Sequence, residues 1–250
     1  MKKLKKKFKF NRTSLIIVLY NEELRLDHCF GIIKKFLRRK DKLFLEIIFV
    51  DDGSTDISKK KILNFINKNK KQFINTKIKL ISYKKNIGKG YATKRGILAS
   101  KSKWILICDL DMSVLPKQYL TWVKKNLIKD INSAYIGSRR HKKSKIHSKF
   151  IRRRIGDILN SILFIFFNLK ILDTQCGFKV FHSSYIKKIF NKIKCYGYSF
   201  DVEIMLLLIK NNIRIVELPI SWIHRPGSKV GLIKDSIKFF LDLFFLKKRF

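Results

Sequence analysis

The sequence predicts a single α/β domain whose sheet is mixed but mainly parallel and is flanked by helices. Three observations predict this fold class. Short apolar runs of strand length alternate with segments of helical pattern, polar clusters follow the runs, and neither a repeat nor a linker interrupts the 250 residues. Strands separated by helices favour parallel pairing, with ligands bound beyond the carboxyl ends of the strands. The polar clusters are therefore the candidate site.

The first half of the chain carries the clearest pattern. Four apolar runs are predicted as strands: Ser14–Leu19, Leu45–Val50, Lys77–Tyr83 and Trp104–Cys108. A helical pattern follows the first run as far as Arg39, and a third helix is predicted to end at Ser100. Between them, Ser54 or Thr55 is a residue type that caps a helix start. Strand, loop and helix thus repeat three times before the fourth strand.

The second half has a looser pattern. Strands are predicted at Ala134–Ser138, near Phe178–Phe181 and near Ile213–Leu218, where Pro219 ends the last one. Helices are predicted over about Arg152–Leu169 and around Asp201–Lys210. These elements extend the same sheet, so the domain is predicted to cover residues 14–230.

The large positive charge of the chain has two alternative explanations, which are an anionic partner and a general bias in residue usage. Lys and Arg number 57 against 18 Asp and Glu, a formal net charge of +39. Seven cations fall within residues 2–12 and nine within 139–154. Residues 1–13 are predicted to form a flexible basic tail. Nucleic acid and an anionic membrane surface are the two partner classes that such a charge favours.

Two apolar segments bear on the membrane alternative. No run approaches the roughly 20 apolar residues of a spanning helix, so no transmembrane span is predicted. Ile162–Phe167 and Phe239–Leu246 are rich in large apolar residues and flanked by cations, as in core helices or in helices at a lipid surface. Residues 231–250 are predicted as a basic amphipathic helix at the membrane interface. For Ile162–Phe167 both alternatives stay open.

Two carboxylates follow the fourth predicted strand, in the triplet Asp109-Leu110-Asp111. Strand side chains alternate with period two, so the two carboxylates are expected to point the same way. Mg²⁺ typically binds one or two carboxylates together with substrate phosphates. The pair is thus a candidate metal site for a nucleotide sugar, although an Asp-x-Asp triplet alone is often a solvated strand end.

A glycine-bearing loop precedes the third helix, over Lys85–Ala92. Its glycines permit close approach of the backbone, and free N–H groups at a helix start favour an anion. The loop lacks the spacing of a P-loop or of a Rossmann fingerprint. An ordinary turn remains the alternative.

Taken in order, these clusters resemble the family 2 glycosyltransferases, which have a GT-A fold. The motifs of the first half are Tyr20–Glu23, Asp51–Asp56, Asn86–Gly90, Asp109–Asp111 and Gly137–Arg139. Those of the second half are Leu172–Lys179, Tyr198–Glu203, Glu217–Trp222 and Gly227–Lys229. The second set resembles the dolichyl-phosphate β-glucosyltransferases and their prokaryotic relatives. The resemblance covers the chain from Ser14 to about Val230.

The resemblance implies roles in binding a nucleoside diphosphate sugar, with UDP-glucose favoured. Tyr20, Glu22 and Asp51 or Asp52 would hold the base and ribose. Asp109 would face the ribose or sugar, and Asp111 would bind Mg²⁺ or Mn²⁺ across the diphosphate. Arg139 would counter phosphate charge, Lys89 would support the nucleotide or diphosphate, and Asp173 and Gln175 would lie near the donor sugar.

The acceptor that the resemblance implies is a polyprenyl monophosphate, dolichyl or undecaprenyl. Its phosphate is already ionised, so it attacks the sugar without a protein base. Five cations are candidates to bind it: Arg152, Arg153, Arg154, Arg225 and Lys229. The reaction implied is metal-dependent hexosyl transfer with inversion, by a peripheral enzyme at the cytoplasmic face of a membrane.

Several alternatives stay open at this point. Asp201 either caps a helix or meets the donor site, and Glu203 is expected to pair with a cation such as Arg154. A family 2 enzyme that acts on a glycan or lipid hydroxyl is the second functional interpretation. A basic nucleic-acid-binding protein is the third and ranks last, because it leaves the ordered Asp clusters unexplained; no nucleic-acid partner is expected.

Overall fold

The structure is a computed structural model that describes residues 13–38, 43–73, 75–147, 161–225 and 232–250. Its strands are β1 (Thr13–Leu19), β2 (Phe44–Asp51), β3 (Lys77–Ser82), β4 (Trp104–Asp109), β5 (Ser133–Ser138), β6 (Lys145–His147), β7 (Lys179–His182), β8 (Arg214–Pro219) and β9 (Ser221–Ile223). Its helices are α1 (Leu26–Leu37), α2 (Ser58–Asn69), α3 (Lys89–Ala99), α4 (Lys117–Lys124), α5 (residues 161–167), α6 (Ser183–Lys192), α7 (Phe200–Lys210) and α8 (Leu232–Arg249).

The main sheet has seven strands in the order β3-β2-β1-β4-β7-β5-β8. The pairs β1–β2, β1–β4, β2–β3 and β5–β8 are parallel, whereas β7 is antiparallel to both β4 and β5. Strands β6 and β9 form a separate parallel pair. The mixed, mainly parallel α/β architecture predicted from the sequence is therefore confirmed.

Helices cover both faces of the sheet because its strands are apolar on both sides. Along β1, Leu15 and Ile17 face one core cluster and Ile16 faces the other, as the period of two requires. The first cluster includes buried residues of α1, α2 and α4. The second includes buried residues of α3 and α5 to α8.

The seven strands predicted for this sheet are all present, and each predicted end lies within one residue of the observed end. Thr13, assigned to the basic tail, begins β1 instead, because it pairs with both neighbouring strands. Residues 1–12 of that tail, and residues 148–160 of the helix predicted over 152–169, lie outside the described residues. The predicted C-terminal helix over 231–250 agrees with α8. Helices α4 and α6 and the short pair β6–β9 were not predicted.

Strand ends position the site. In the parallel register, Leu19 lies beside Asp51 and Val18 lies beside Asp109. The carboxyl ends of β1, β2 and β4 thus meet at one edge of the sheet. The polar residues that follow each strand are brought together there, as the sequence predicts.

Candidate functional site

An open cavity of about 480 Å³ lies at this edge of the sheet. Its walls come from the ends of β1 and β4, the loop before α3, the segment before α7, the segment after β9, and α8. Among the residues named from the sequence, it is lined by Tyr20, Glu22, Asp52, Lys89, Asp109, Asp111 and Arg225. Residues brought together from across the whole chain therefore share one cavity.

The two carboxylates of the Asp109–Asp111 triplet both line this cavity, but they are presented differently from the prediction. Strand β4 ends at Asp109, and a turn follows in which Met112 N donates to Asp109 O at 3.1 Å. Met112 has a positive φ of 54°. Asp111 therefore lies in a turn, and the alternation of strand side chains does not explain its direction.

Asp109 is held by a lysine and by a close backbone contact. Lys89 Nζ donates to Asp109 Oδ1 at 2.7 Å. Burial raises the pKa of Asp109, but Lys89, Lys179 and Arg139 outweigh burial and hold that pKa below its usual value. A Cβ added to Gly177 would overlap the Asp109 carboxylate. Asp109 is thus an ionised group in a fixed position.

Asp111 is one of two cavity-lining carboxylates that accept a single hydrogen bond among the described residues, and the other is Asp242 of α8. Asp111 Oδ1 accepts from Ser113 N at 2.9 Å, and Asp111 forms no ion pair with any of the described residues. Within the described ranges, no group of three or more His, Cys, Asp or Glu side chains is arranged to hold a metal. A divalent cation at Asp111 would therefore take its remaining ligands from substrate phosphates and water, which is the usual arrangement for Mg²⁺.

Asp51 and Asp52 have separate surroundings, and only Asp52 lines the cavity. Asp52 accepts hydrogen bonds from Tyr83 Oη at 2.6 Å, Asn86 Nδ2 at 2.9 Å, Ile87 N at 3.0 Å and Gly88 N at 2.9 Å. Asp51 accepts from Ser54 N and from Ser82 Oγ, away from the cavity. Asp51 stabilises the turn after β2, while Asp52 organises the loop before α3.

The glycines of the loop before α3 allow it to pack closely against another segment of this chain. Gly88 has φ 127°, and a Cβ there would overlap the carbonyl of Tyr196. Gly90 N donates to Tyr196 O at 2.8 Å. Because Gly88 N is bound by Asp52, the anion next to the helix start is a carboxylate of this chain. The N–H groups of Gly88 and Gly90, which were expected to be free to bind an external anion, are thus already hydrogen-bonded within the protein.

Tyr20 and Glu22 lie on the wall that follows β1. Glu22 forms an ion pair with Arg25, and both side chains line the cavity. Between them, Asn21 Oδ1 accepts from Thr55 N at 2.8 Å, which ties this loop to the loop after β2. Arg25 was not predicted as a site residue. The sequence feature that could have identified Arg25 is its position three residues after Glu22, which is a typical spacing of ion pairs on a helix.

Arg139, Asp173 and Gln175 are not among the residues that line the cavity. Arg139 binds Asp173 in a bidentate pair, with Nε to Oδ2 at 2.7 Å and Nη2 to Oδ1 at 2.8 Å. Asp173 is buried, and its N donates to Glu217 Oε1. Gln175 Nε2 is buried without a hydrogen-bond partner among the described residues. The arginine predicted to counter phosphate charge is thus satisfied by a carboxylate of this chain.

Asp201 and Glu203 both start α7 but point to different partners. Asp201 forms a buried ion pair with Lys179, at 2.6 Å, instead of capping the helix. Glu203 accepts from Lys194 N and Cys195 N and pairs with Arg249 of α8. The predicted partner of Glu203, Arg154, lies outside the described residues, as do Arg152, Arg153 and Lys229.

Sequence reasoning missed the contribution of the C-terminal region to the cavity. Further lining residues come from the segment before α7, from β9 and the residues after it, and from α8: Gly197, Tyr198, Trp222, His224, Lys238, Phe239 and Asp242. In α8, Lys238 and Asp242 are four residues apart, so they share one helix face. This spacing was the available signal in the sequence. It did not indicate that the face would lie at the carboxyl ends of strands more than 100 residues earlier in the chain.

Comparison with known proteins gives a family and a set of relatives. The profile of the family "Glycosyl transferase family 2" matches residues 14–192. The chain is 34% identical to a dolichyl-phosphate β-glucosyltransferase of Dictyostelium discoideum, across 95% of this chain and 74% of that protein. It is 35% identical to the enzyme of that name from Saccharomyces cerevisiae, across 94% of this chain and 73% of that protein.

Solved structures show a similar fold at lower sequence identity. Glucosyl-3-phosphoglycerate synthase from Mycobacterium tuberculosis, in complex with Mn²⁺, UDP-glucose and phosphoglyceric acid, superposes with a TM-score of 0.68 at 16% identity. The alignment covers 95% of this chain and 80% of that one. The same protein in complex with UDP gives a TM-score of 0.67. At this identity the likeness concerns the fold.

Proposed function

Because this chain belongs to glycosyl transferase family 2, we propose that it transfers glucose from UDP-glucose to a polyprenyl monophosphate, with inversion. The relatives named above are dolichyl-phosphate β-glucosyltransferases. The observation that carries the proposal is the cavity at the strand ends, where Asp111 is available to a cation beside the Lys89–Asp109 pair. Such an arrangement suits a diphosphate donor.

The donor is proposed to occupy the part of the cavity next to β1 and β4. Tyr20, Glu22 and Asp52 would line the nucleotide, and Asp109 would face the ribose or sugar. Asp51 would act only through the turn that it stabilises. Arg139, Asp173 and Gln175 would support the site without lining the cavity, since the charge of Arg139 helps to lower the pKa of Asp109.

A divalent cation, Mg²⁺ or Mn²⁺, would be held by Asp111, with Asp109 as a second carboxylate. When bound, it would neutralise charge on the diphosphate as the nucleotide departs. The residues present fit this group, because Asp111 is bound by only one backbone N–H and faces the cavity. Lys89 adds a fixed positive charge beside it.

The acceptor phosphate needs orientation and charge balance and does not need a base. Arg225 lines the cavity, and its Nε is buried without a hydrogen-bond partner among the described residues. We propose Arg225 as one of the residues that bind the acceptor phosphate. Arg152 and Lys229 stay candidates from the sequence.

The lipid acceptor implies that the protein works at a membrane surface, which we propose to be the cytoplasmic face of a membrane. None of the helices in the described ranges combines the length and apolar character needed to cross a bilayer. Instead, α8 exposes the large apolar side chains Ile237, Phe240, Leu241, Phe244 and Phe245. With Lys247 and Lys248 at its end, this helix suits an anionic lipid interface.

The same surface continues onto α5. Phe164 and Ile165 of α5 are exposed, and the ring of Phe166 lies 5.6 Å from that of Phe244. Lys247 Nζ donates to Phe166 O, which ties the two helices together. We define this combined surface, formed by the exposed apolar residues of α5 and α8, as the α5–α8 surface.

The experiment that tests the proposal is a donor and acceptor panel. UDP-glucose, UDP-galactose and GDP-mannose, each with labelled sugar, are supplied with a short polyprenyl phosphate or with the matching polyprenol. We expect label in organic extracts only with UDP-glucose and the phosphate acceptor. Transfer to the polyprenol would favour the hydroxyl-acceptor reaction, and a different preferred donor would overturn the assignment of the sugar.

A further inference from the structure

Helix α8 borders two different surroundings. Lys238, Phe239 and Asp242 line the cavity, whereas Leu241 and Phe245 are exposed on the α5–α8 surface. One helix therefore borders both the site and the proposed lipid-facing surface. A role for its cavity-lining face in binding the acceptor rests on the proposed function.

The position of this face is fixed by contacts along α8. Ser199 Oγ donates to Asp242, and Leu243 and Leu246 are fully buried in the core. At the end of the helix, Arg249 pairs with the buried Glu203, and its Nη2 donates to Lys192 O at 2.7 Å. Helix α8 is thus held against the segment that precedes α7, which itself lines the cavity.

Lys238 lies over that segment. A Cβ added to Gly197 would be 3.7 Å from Lys238 Cε and 3.9 Å from Asp242 Oδ2. The side chain of Lys238 therefore extends along Gly197 at the cavity wall. Lys238 thus belongs to the part of the cavity wall that α8 forms.

The carboxylates that line the cavity accept hydrogen bonds from other residues of the protein. Glu22 is bound to Arg25 and Asp109 to Lys89, while Asp52 accepts from neutral donors and Asp242 from a hydroxyl. Glu22, Asp52 and Asp109 are therefore bound by partners within the protein, whereas Asp242 and Asp111 each accept one hydrogen bond.

Lys238 and Arg225 are different, because neither forms an ion pair with a carboxylate of the described residues. Two cations without a carboxylate partner, on walls from the C-terminal region, suit a phosphate group. The donor diphosphate already has Lys89 and the proposed cation at Asp111. A second phosphate in the cavity would be that of the acceptor.

We infer that Lys238 binds the phosphate of the acceptor lipid, together with Arg225. Lys238 and Leu241 are three residues apart, which is less than one helical turn of about 5.4 Å pitch. A lipid phosphate at Lys238 therefore places its hydrocarbon chain next to the exposed apolar face. Helix α8 both contacts the lipid surface and carries a residue that recognises the acceptor.

The test compares Lys238→Gln with the control Lys59→Gln, which removes the same charge from an exposed position of α2 that does not line the cavity. The apparent KM for a short polyprenyl phosphate is measured in detergent, and the Kd for UDP-glucose with Mn²⁺ is measured separately. We expect Lys238→Gln to raise the acceptor KM about tenfold or more. The UDP-glucose Kd should stay unchanged, and Lys238→Arg should restore most of the acceptor affinity.

Three results would overturn the inference. The acceptor KM of Lys238→Gln could equal that of the wild type, Lys59→Gln could have the same effect, or the UDP-glucose Kd could rise instead. If the wild type transfers sugar to the lipid phosphate but Lys238→Gln behaves normally, only this inference fails. If the wild type does not use the lipid phosphate at all, the proposed function fails and the inference fails with it.

Discussion

The position of Asp109 depends on the residues around it more than on the strand that carries it. Lys89 binds the carboxylate, and Gly177 packs directly against it. Only glycine leaves room at position 177. The sequence motif around Gly177 therefore acts on the site through a contact with Asp109, although residue 177 does not line the cavity.

Replacement of Gly177 by Ala should displace the Asp109 carboxylate from Lys89. We expect transfer activity to fall about tenfold or more, equivalent to a loss of about 1.4 kcal/mol of transition-state stabilisation. Steady-state kinetics measures the change. Gly31→Ala is the control, since a Cβ at Gly31 meets no atom within 4 Å. Unchanged activity of Gly177→Ala would show that Asp109 tolerates displacement.

Individual site residues were predictable where a motif ends a strand. Tyr20, Asp52 and Asp111 follow the ends of β1, β2 and β4, and all three line the cavity. Arg139 differs, because nothing local to its motif indicates that Asp173, 34 residues later, binds its guanidinium. Whether a charged side chain reaches the ligand or another residue depends on the fold, and a motif does not contain that information.

Strand β7 and helix α7 are joined by a charge pair that is almost completely buried. Lys179 is 1% exposed and Asp201 is 3% exposed. Lys179 Nζ also donates to Cys176 O at 2.5 Å, so the pair anchors the turn that carries Gly177. At this scale, the buried pair fixes the packing of two elements beneath the site.

The substitution Lys179→Met should strongly destabilise the protein, because Asp201 would stay buried without its partner. We expect the free energy of unfolding to fall by about 3–5 kcal/mol. Urea denaturation followed by circular dichroism measures it. The double variant Lys179→Met with Asp201→Leu should recover much of the loss. Equal destabilisation in the single and double variants would contradict the role of the ion pair.

Elements were predictable where the pattern was local. The runs of β1, β2 and β4 are apolar and rich in β-branched residues, which suits buried strands. Helix α6 was missed although Ile186, Ile189 and Phe190 have helical spacing, because the helix starts directly after β7 with no loop. The antiparallel direction of β7 has no local signal, since it depends on the path of the chain between β5 and β7.

The whole molecule combines a cavity at one edge of the sheet with an exposed apolar surface on neighbouring helices. The net charge of +39 favours approach to an anionic surface, with an attraction that salt weakens. Because α8 contributes to both the cavity and the α5–α8 surface, binding to a membrane would bring the cavity close to lipid head groups. This connection was not predictable from the sequence, which shows that the helix is amphipathic but not where it packs.

Membrane binding should depend on the α5–α8 surface. Leu241 is 64% exposed, so Leu241→Glu should leave folding intact while it weakens binding to vesicles that contain anionic lipid. Vesicle flotation at moderate salt measures the bound fraction. Leu63→Glu on α2 is the matched control, because Leu63 is 43% exposed on a different helix. An equal bound fraction for both variants would contradict the proposed surface.

The most direct test of the central claim measures metal-dependent transfer of labelled glucose from UDP-glucose to a short polyprenyl phosphate. Wild type is compared with Asp111→Asn and with the control Asp27→Asn, whose side chain is 74% exposed and does not line the cavity. We predict an organic-extractable product that needs Mg²⁺ or Mn²⁺ and falls about 100-fold or more in Asp111→Asn, within the range for loss of one electrostatic group. Asp27→Asn should match the wild type. Undiminished transfer by Asp111→Asn, or no product from the wild type with any metal, would contradict the account.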